Sequence, residues 1–177
     1  MGFTPHNLDG YGGPAIEWDT VADALATSWP QEPGSGGPDR HTPWLTTIND
    51  DGSAHVTPVG TVQLDGTWYF TSGPGTRKSR NLDRDPRCVF AQATSLFDLV
   101  LHGHAERVTA SSELQSAVQS FNREGWPCRI DGDAVDADYS APSAGPGPWH
   151  LYRVTVQTVY AFGTREPYGA TRFEEQS

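Results

Sequence analysis

The chain has 177 residues, a formal net charge of −10 from 12 basic and 22 acidic side chains, and only two cysteines. That length suits one domain able to bury roughly two-thirds of its unfolded surface without staples. The negative balance speaks against nucleic acid or an anionic membrane as partner, and Cys88 and Cys128, far apart and outside any CxxC pattern, against a disulfide framework or zinc site.

No apolar run reaches membrane-spanning length, and the first residues lack the basic and apolar parts of a signal peptide, so a cytoplasmic protein is expected. Residues 1–15 are rich in Gly and Pro and read as an extended arm. Asp19 or Thr20 could cap a helix running to about Ser28, with Val21, Ala22, Leu25 and Ala26 on one face. Residues 31–40 read as a loop that links two elements or folds over a ligand.

Strand signals follow over residues 41–49, 54–64 and 67–71, joined by turns at Asp50-Asp51-Gly52 and Asp65-Gly66. Beyond a polar stretch, strands are expected over 87–94 and 97–109 and a helix over 111–124, where Leu114, Ala117, Val118 and Phe121 keep a helical period and Glu113 suits the amino end. Residues 125–148 read as a long breaker-rich loop, and 149–162 as a last strand. Strands with a few helices at the side, uninterrupted by βαβ units, predict a mainly β (α+β) domain, a closed or split antiparallel barrel.

The chemistry concentrates between Gly66 and Val89, GTWYFTSGPGTRKSRNLDRDPRCV, which reads as a strand, a Gly-rich turn and a short basic helix over Thr76 to Asp85. The first amides of a helix have no intrahelical partner and, with the macrodipole, favour an anion there. Arg77, the sole lysine Lys78, Ser72, Thr76 and Ser79 crowd that end, so the stretch reads as a phosphate site or, more blandly, as a solvated basic helix. Helical spacing leans Lys78 toward the core side with Leu82, and puts Arg77, Arg80 and Arg84 on another face. Arg77 stands where a P-loop needs Gly, and Lys78 where the dinucleotide fingerprint needs its third Gly, which argues against a nucleotide triphosphatase.

The order strand, Asp-Gly turn, strand ending Phe70-Thr71, then Arg77-Lys78, followed by Asn81-Leu82 with Asp85-Pro86-Arg87 and by Gly103-His104-Ala105-Glu106-Arg107-Val108, resembles the pyridoxamine 5′-phosphate oxidase-like split-barrel flavoproteins. The likeness spans about Trp44 to Val108, more loosely Trp149 to Phe173. It implies a homodimeric flavin- or deazaflavin-dependent oxidoreductase with the cofactor at the subunit interface and a small organic substrate. Arg77 and Lys78 would grip the cofactor phosphate, with Thr71, Ser72, Thr76 and Asn81 beside them. Thr57, Pro58 and Val59 occupy the strand on which the true oxidases carry an Arg and a Lys. Asp98 stands where they place a Gln at the flavin ring, and Phe162 and Arg172 fall at the family's C-terminal aromatic and Arg.

These departures point away from pyridoxamine 5′-phosphate oxidase proper and favour the deazaflavin F-420 over FMN, because a carboxylate near the ring opposes negative charge on it and an acidic tail could lie along Arg77, Arg80 and Arg84. A carrier or sensor of flavin, haem or another tetrapyrrole without turnover is the competing class. His102 and His104 share one strand face and would matter only if haem or a metal were bound. Trp149, Tyr152, Tyr160, Phe162 and Tyr168 could fill the core or wall a cofactor ring. No Ser, His and Asp order suggests a hydrolase, and no catalytic residue can be named.

Overall fold

The computed structural model describes residues 2–26 and 42–176, so the loop expected at 31–40 lies outside the described residues. Its strands are β1 (Phe3–Asn7), β2 (Trp44–Ile48), β3 (Ala54–Pro58), β4 (Thr61–Leu64), β5 (Thr67–Ser72), β6 (Arg87–Ala93), β7 (Phe97–Val108), β8 (Cys128–Asp131), β9 (Ala134–Ala137), β10 (His150–Gly163) and β11 (Ala170–Glu175). The helices are α1 (Trp18–Ala26), α2 (Arg77–Arg84) and α3 (Ser111–Arg123), with a 3-10 turn at Pro142–Ala144. The fold is mainly β and antiparallel, as the sequence predicts.

The main sheet runs β1-β11-β10-β7-β6-β2-β3, and it forks at β10. One edge of β10 pairs with β5 over His150–Val154 and with β11 over Thr158–Phe162, while the other edge pairs with β7 almost throughout. Alternation then decides what is buried, since successive side chains point to opposite faces. Phe97, Leu99, Leu101 and Ala105 of β7 join Phe70, Phe90, Tyr152, Val154 and Val159 in one core, which Val21 of α1 and Leu82 of α2 help to close. On the opposite face Leu114, Ala117, Val118 and Phe121 of α3 pack with Val62, Tyr69, Val108 and Leu151.

Several expectations are corrected. The amino-terminal arm is an edge strand: β1 pairs with β11, and Phe3 lies 4.2 Å from Trp18, which in turn meets Phe173. Residues 54–64 are two strands, because Pro58 has no N–H to continue a ladder and the Val59 N–H turns to the Pro43 carbonyl. The stretch 125–148 contains the β8–β9 hairpin, bridged to the main sheet through Val135 and Trp149. Beyond the last strand that the sequence predicts, residues 170–175 form β11, paired between β1 and β10. The α1 stripe centres on Val21 and Ala24, and its first residue is Trp18, ahead of the expected caps. The amino end of α3 has no side-chain cap; Glu113 instead accepts from the Tyr69 hydroxyl at 2.9 Å and from Arg153, tying α3 to the sheet and pushing the phenol up to about 12, chiefly by burial. The Asp65-Gly66 turn is as expected, both residues having positive φ (49° and 79°), the hairpin geometry that Asp-Gly serves.

Both cysteines are buried and unpaired, and burial pushes Cys88 up to about 12 and Cys128 to about 11. Thiolates are the reactive form, so both should stay silent to a thiol reagent in the folded protein and appear together in denaturant. Rapid labelling of Cys88 in native protein would contradict the packing of β6.

Candidate cofactor site

Strand β5 delivers the chain through Gly73-Pro74-Gly75 into α2. The Thr76 hydroxyl accepts from the Ser79 N–H at 3.3 Å and so caps the helix. Ser72, Thr76 and Ser79 form a closed set of hydroxyls, 2.8 to 3.2 Å apart. They hold the turn rigid. Neither the Arg77 nor the Lys78 N–H makes a hydrogen bond among the described residues, the arrangement expected of a helix amino end open to an anion.

The cations around it are not equivalent. Lys78 is half-buried, has no ion pair among the described residues, and burial holds its amine below the ordinary lysine value. A buried charge without a partner is costly, and a bound anion would relieve that cost. Arg77 is exposed, makes no hydrogen bond among the described residues, and is felt electrostatically by Asp51. Arg80 donates to the Gly75 carbonyl, while Arg84 holds Asp50 and the Ile48 carbonyl. Of the three arginines read as a cradle for an acidic tail, only Arg77 is left uncommitted among the described residues.

The other expected contacts divide. Asn81 is buried, and its amide donates to Thr47 at 3.0 Å and Asn49 at 3.1 Å, so it fastens α2 to β2 rather than facing a ligand. Asn81→Ala is expected to cost about 1 to 3 kcal/mol, since Thr47 is left buried without that donor. A chemical denaturation midpoint equal to wild type would refute this. Thr71 pairs with Leu151 and faces away from Ser72, on the opposite side of β5. On edge strand β3, Thr57 is half-buried and Pro58 exposed; Val59, just beyond it, is buried.

Asp98, Phe162 and Arg172 lie elsewhere. Phe162 pairs with Asp98 and with Ala170, at the far end of β10 from His150, which pairs with Ser72. Twelve residues of strand separate the two groups along β10, about 40 Å at 3.3 Å per residue. Arg172 pairs with Tyr160 and carries Glu174 at 3.4 Å. One chain does not bring the two groups together.

His102 and His104 lie on the outer face of β7, His102 against Tyr160 at 5.4 Å, and no group of three metal-ligating side chains occurs among the described residues. Trp149 and Tyr152 are buried, whereas Phe162 and Tyr168 are exposed. Sequence reasoning missed His150, which faces the same side as Ser72 and Tyr152. Burial first, and Arg107 second, hold its imidazole below the usual histidine range. The Tyr152 hydroxyl is buried beside Ser79 without a hydrogen bond, its ring stacked on Phe70 at 5.1 Å. A period-two reading from Tyr152 back to His150 was the available signal.

The family model described as pyridoxamine 5′-phosphate oxidase matches residues 38–162. The chain belongs to that family. A solved structure of a conserved hypothetical protein from Mycobacterium tuberculosis is similar at 19% identity, covering 85% of this chain and 86% of that one, with a TM-score of 0.60. A pyridoxamine 5′-phosphate oxidase-related, FMN-binding protein from Nostoc punctiforme matches at 15% identity over 77% and 82% of the two chains, TM-score 0.55. A FAD-binding protein from Mesorhizobium loti matches at 12% over 98% and 100%, TM-score 0.53. Identities this low show the fold alone. No curated protein matches the chain. No described helix is long and apolar enough to cross a membrane.

Proposed function

We propose that the chain is a flavin-dependent oxidoreductase acting on a small organic substrate, a homodimeric split barrel that holds the cofactor phosphate at the amino end of α2. The observation that carries this reading is Lys78, a half-buried cation with no partner among the described residues, beside two free helix amides. A bound flavin would supply acceptance or donation of hydride. Arg77 and Lys78 would bind its phosphate, the hydroxyl set of Ser72, Thr76 and Ser79 would keep the turn rigid, and Thr57 and Pro58 would flank the approach from β3.

Two features support a dimer. Asp98, Phe162 and Arg172 can serve the α2 site only from a second copy, given the strand length between the groups. The outer sheet face also leaves Trp44, Val56 and Phe162 exposed. The two buried free thiols agree with a cytoplasmic setting. F-420 is placed second, because the arginine cradle that would favour its acidic tail is largely committed to Asp50, the Ile48 carbonyl and the Gly75 carbonyl.

The test is the absorbance spectrum of protein as purified, with light scattering and then turnover with candidate acceptors. Flavin bands on a dimer that turns over support the reading. Deazaflavin bands would promote F-420, a haem spectrum would move the chain to the tetrapyrrole carriers, and a flavin-loaded monomer would sink the shared site.

A further inference from the structure

A cavity of about 810 Å3 opens beside the amino end of α2, and Thr57, Pro58 and Val59 are not among the residues that line it. Its walls are the Gly73–Thr76 turn, the tip of the β8–β9 hairpin with Asp131 and Asp133, the 142–148 loop, and His150. The size is within the roughly 300 to 1,000 Å3 of small-molecule sites. Close backbone approach shapes it. A Cβ on Gly73 would come within 3.2 Å of the Ala144 carbonyl oxygen and 3.6 Å of Trp149 Cδ1, and one on Gly147 would collide with the Asp136 carboxylate. Gly73 therefore lets the loop lie against the α2 turn, and Gly147 lets it lie against β9 and Trp149. Beneath this wall the Trp149 indole N–H is buried and donates no hydrogen bond, as is the Tyr152 hydroxyl behind His150.

The lining selects an occupant. No Lys or Arg faces the cavity, whereas Asp131 and Asp133 do, Asp133 being held by Arg107 at 2.8 Å. Burial, and then Arg107, hold the His150 imidazole below the usual histidine range, so it adds no strong positive charge to the lining. An acidic extension is disfavoured here. A neutral group rich in donors is favoured: Asp131 can accept from hydroxyls or an exocyclic amine, and Pro74, Pro142, Pro146 and Pro148 offer flat apolar rings for a heteroaromatic base. Arg77 and Lys78, two cations without an ion pair among the described residues, follow directly in the chain on the Thr76 wall, within reach of phosphate carried by the occupant.

We propose that this cavity takes the nucleoside half of a dinucleotide flavin, whose diphosphate lies across Arg77 and Lys78. The inference rests on the flavin reading above and names the form of that cofactor. It is tested by equilibrium titration of the apoprotein with FMN, FAD and F-420, in wild type, in Ser143→Trp, where an exposed wall residue is enlarged into the cavity, and in Asp131→Ala. Wild type is expected to bind FAD at least tenfold tighter than FMN. Both variants should lose that advantage and keep the FMN affinity of wild type, which also shows that they fold. Equal FMN and FAD affinities, unmoved by either variant, would overturn the inference and leave the flavin reading standing. F-420 bound tightest and weakened by Ser143→Trp would overturn the neutral occupant. Failure of both flavins would bring down the flavin reading, and this inference with it.

Discussion

Lys78→Ala is expected to weaken flavin binding by about tenfold to a hundredfold, the loss of one charge-assisted bond to phosphate worth roughly 1.5 to 3 kcal/mol. Stability should not fall with it. In the free protein the Lys78 amine is desolvated with no ion pair among the described residues, so its removal relieves a cost, and the melting temperature should hold or rise. Arg77→Ala should act in the same direction but less, because an exposed guanidinium gives up more of its gain to solvent screening.

The pH profile separates this from a merely structural lysine. Only the protonated amine attracts phosphate, so affinity falls as pH rises through the Lys78 pKa, and burial places that fall below the ordinary 10.5. Lys78→Arg keeps the charge at all accessible pH and should flatten the profile, whatever it does to the affinity itself. Fluorescence titration of wild type and both variants reads all of this. Wild-type affinity in Lys78→Ala, or a pH profile unchanged in Lys78→Arg, would leave α2 as a solvated surface helix.

What the sequence makes legible here is local chemistry. The helix expected over Thr76 to Asp85, the turn at Asp65-Gly66 and the partial burial of Lys78 on the core side follow from residues within a few positions of each other. Structure that depends on partners far along the chain is less legible. Residues 170–175 become a strand because β10 and β1 flank them, and residues 128–137 become a hairpin because α3 and Trp149 bury Cys128, Val135 and Ala137. Neither segment announces this in its own composition. The same limit applies to the site: the motif positions Arg77, Asp98, Phe162 and Arg172 read as one set, yet the pairing of β10 distributes them over its two ends. His150 carried no motif, and only the register of β5 on β10 sets it beside Ser72.

Gly103, the first residue of the segment that resembles the family, shows such a long-range demand on a single position. It pairs with Val156 at the point where β10 shifts register between Val156 and Thr158, and there the two backbones approach so closely that a Cβ on Gly103 would collide with the Thr155 carbonyl. The obstacle is backbone inside a paired strand, which cannot rotate away as a side chain could. Gly103→Ala is therefore expected to cost about 1 to 3 kcal/mol, and Gly103→Val more. At about 2 to 4 °C per kcal/mol for a chain of this size, the alanine variant should melt about 2 to 12 °C lower. His104→Ala is the control, since that half-exposed side chain points to the outer face and its loss should move the midpoint little. A Gly103→Ala protein that melts with wild type would mean that β7 and β10 part at the bulge without cost, and the close approach would then not be what requires glycine at this position.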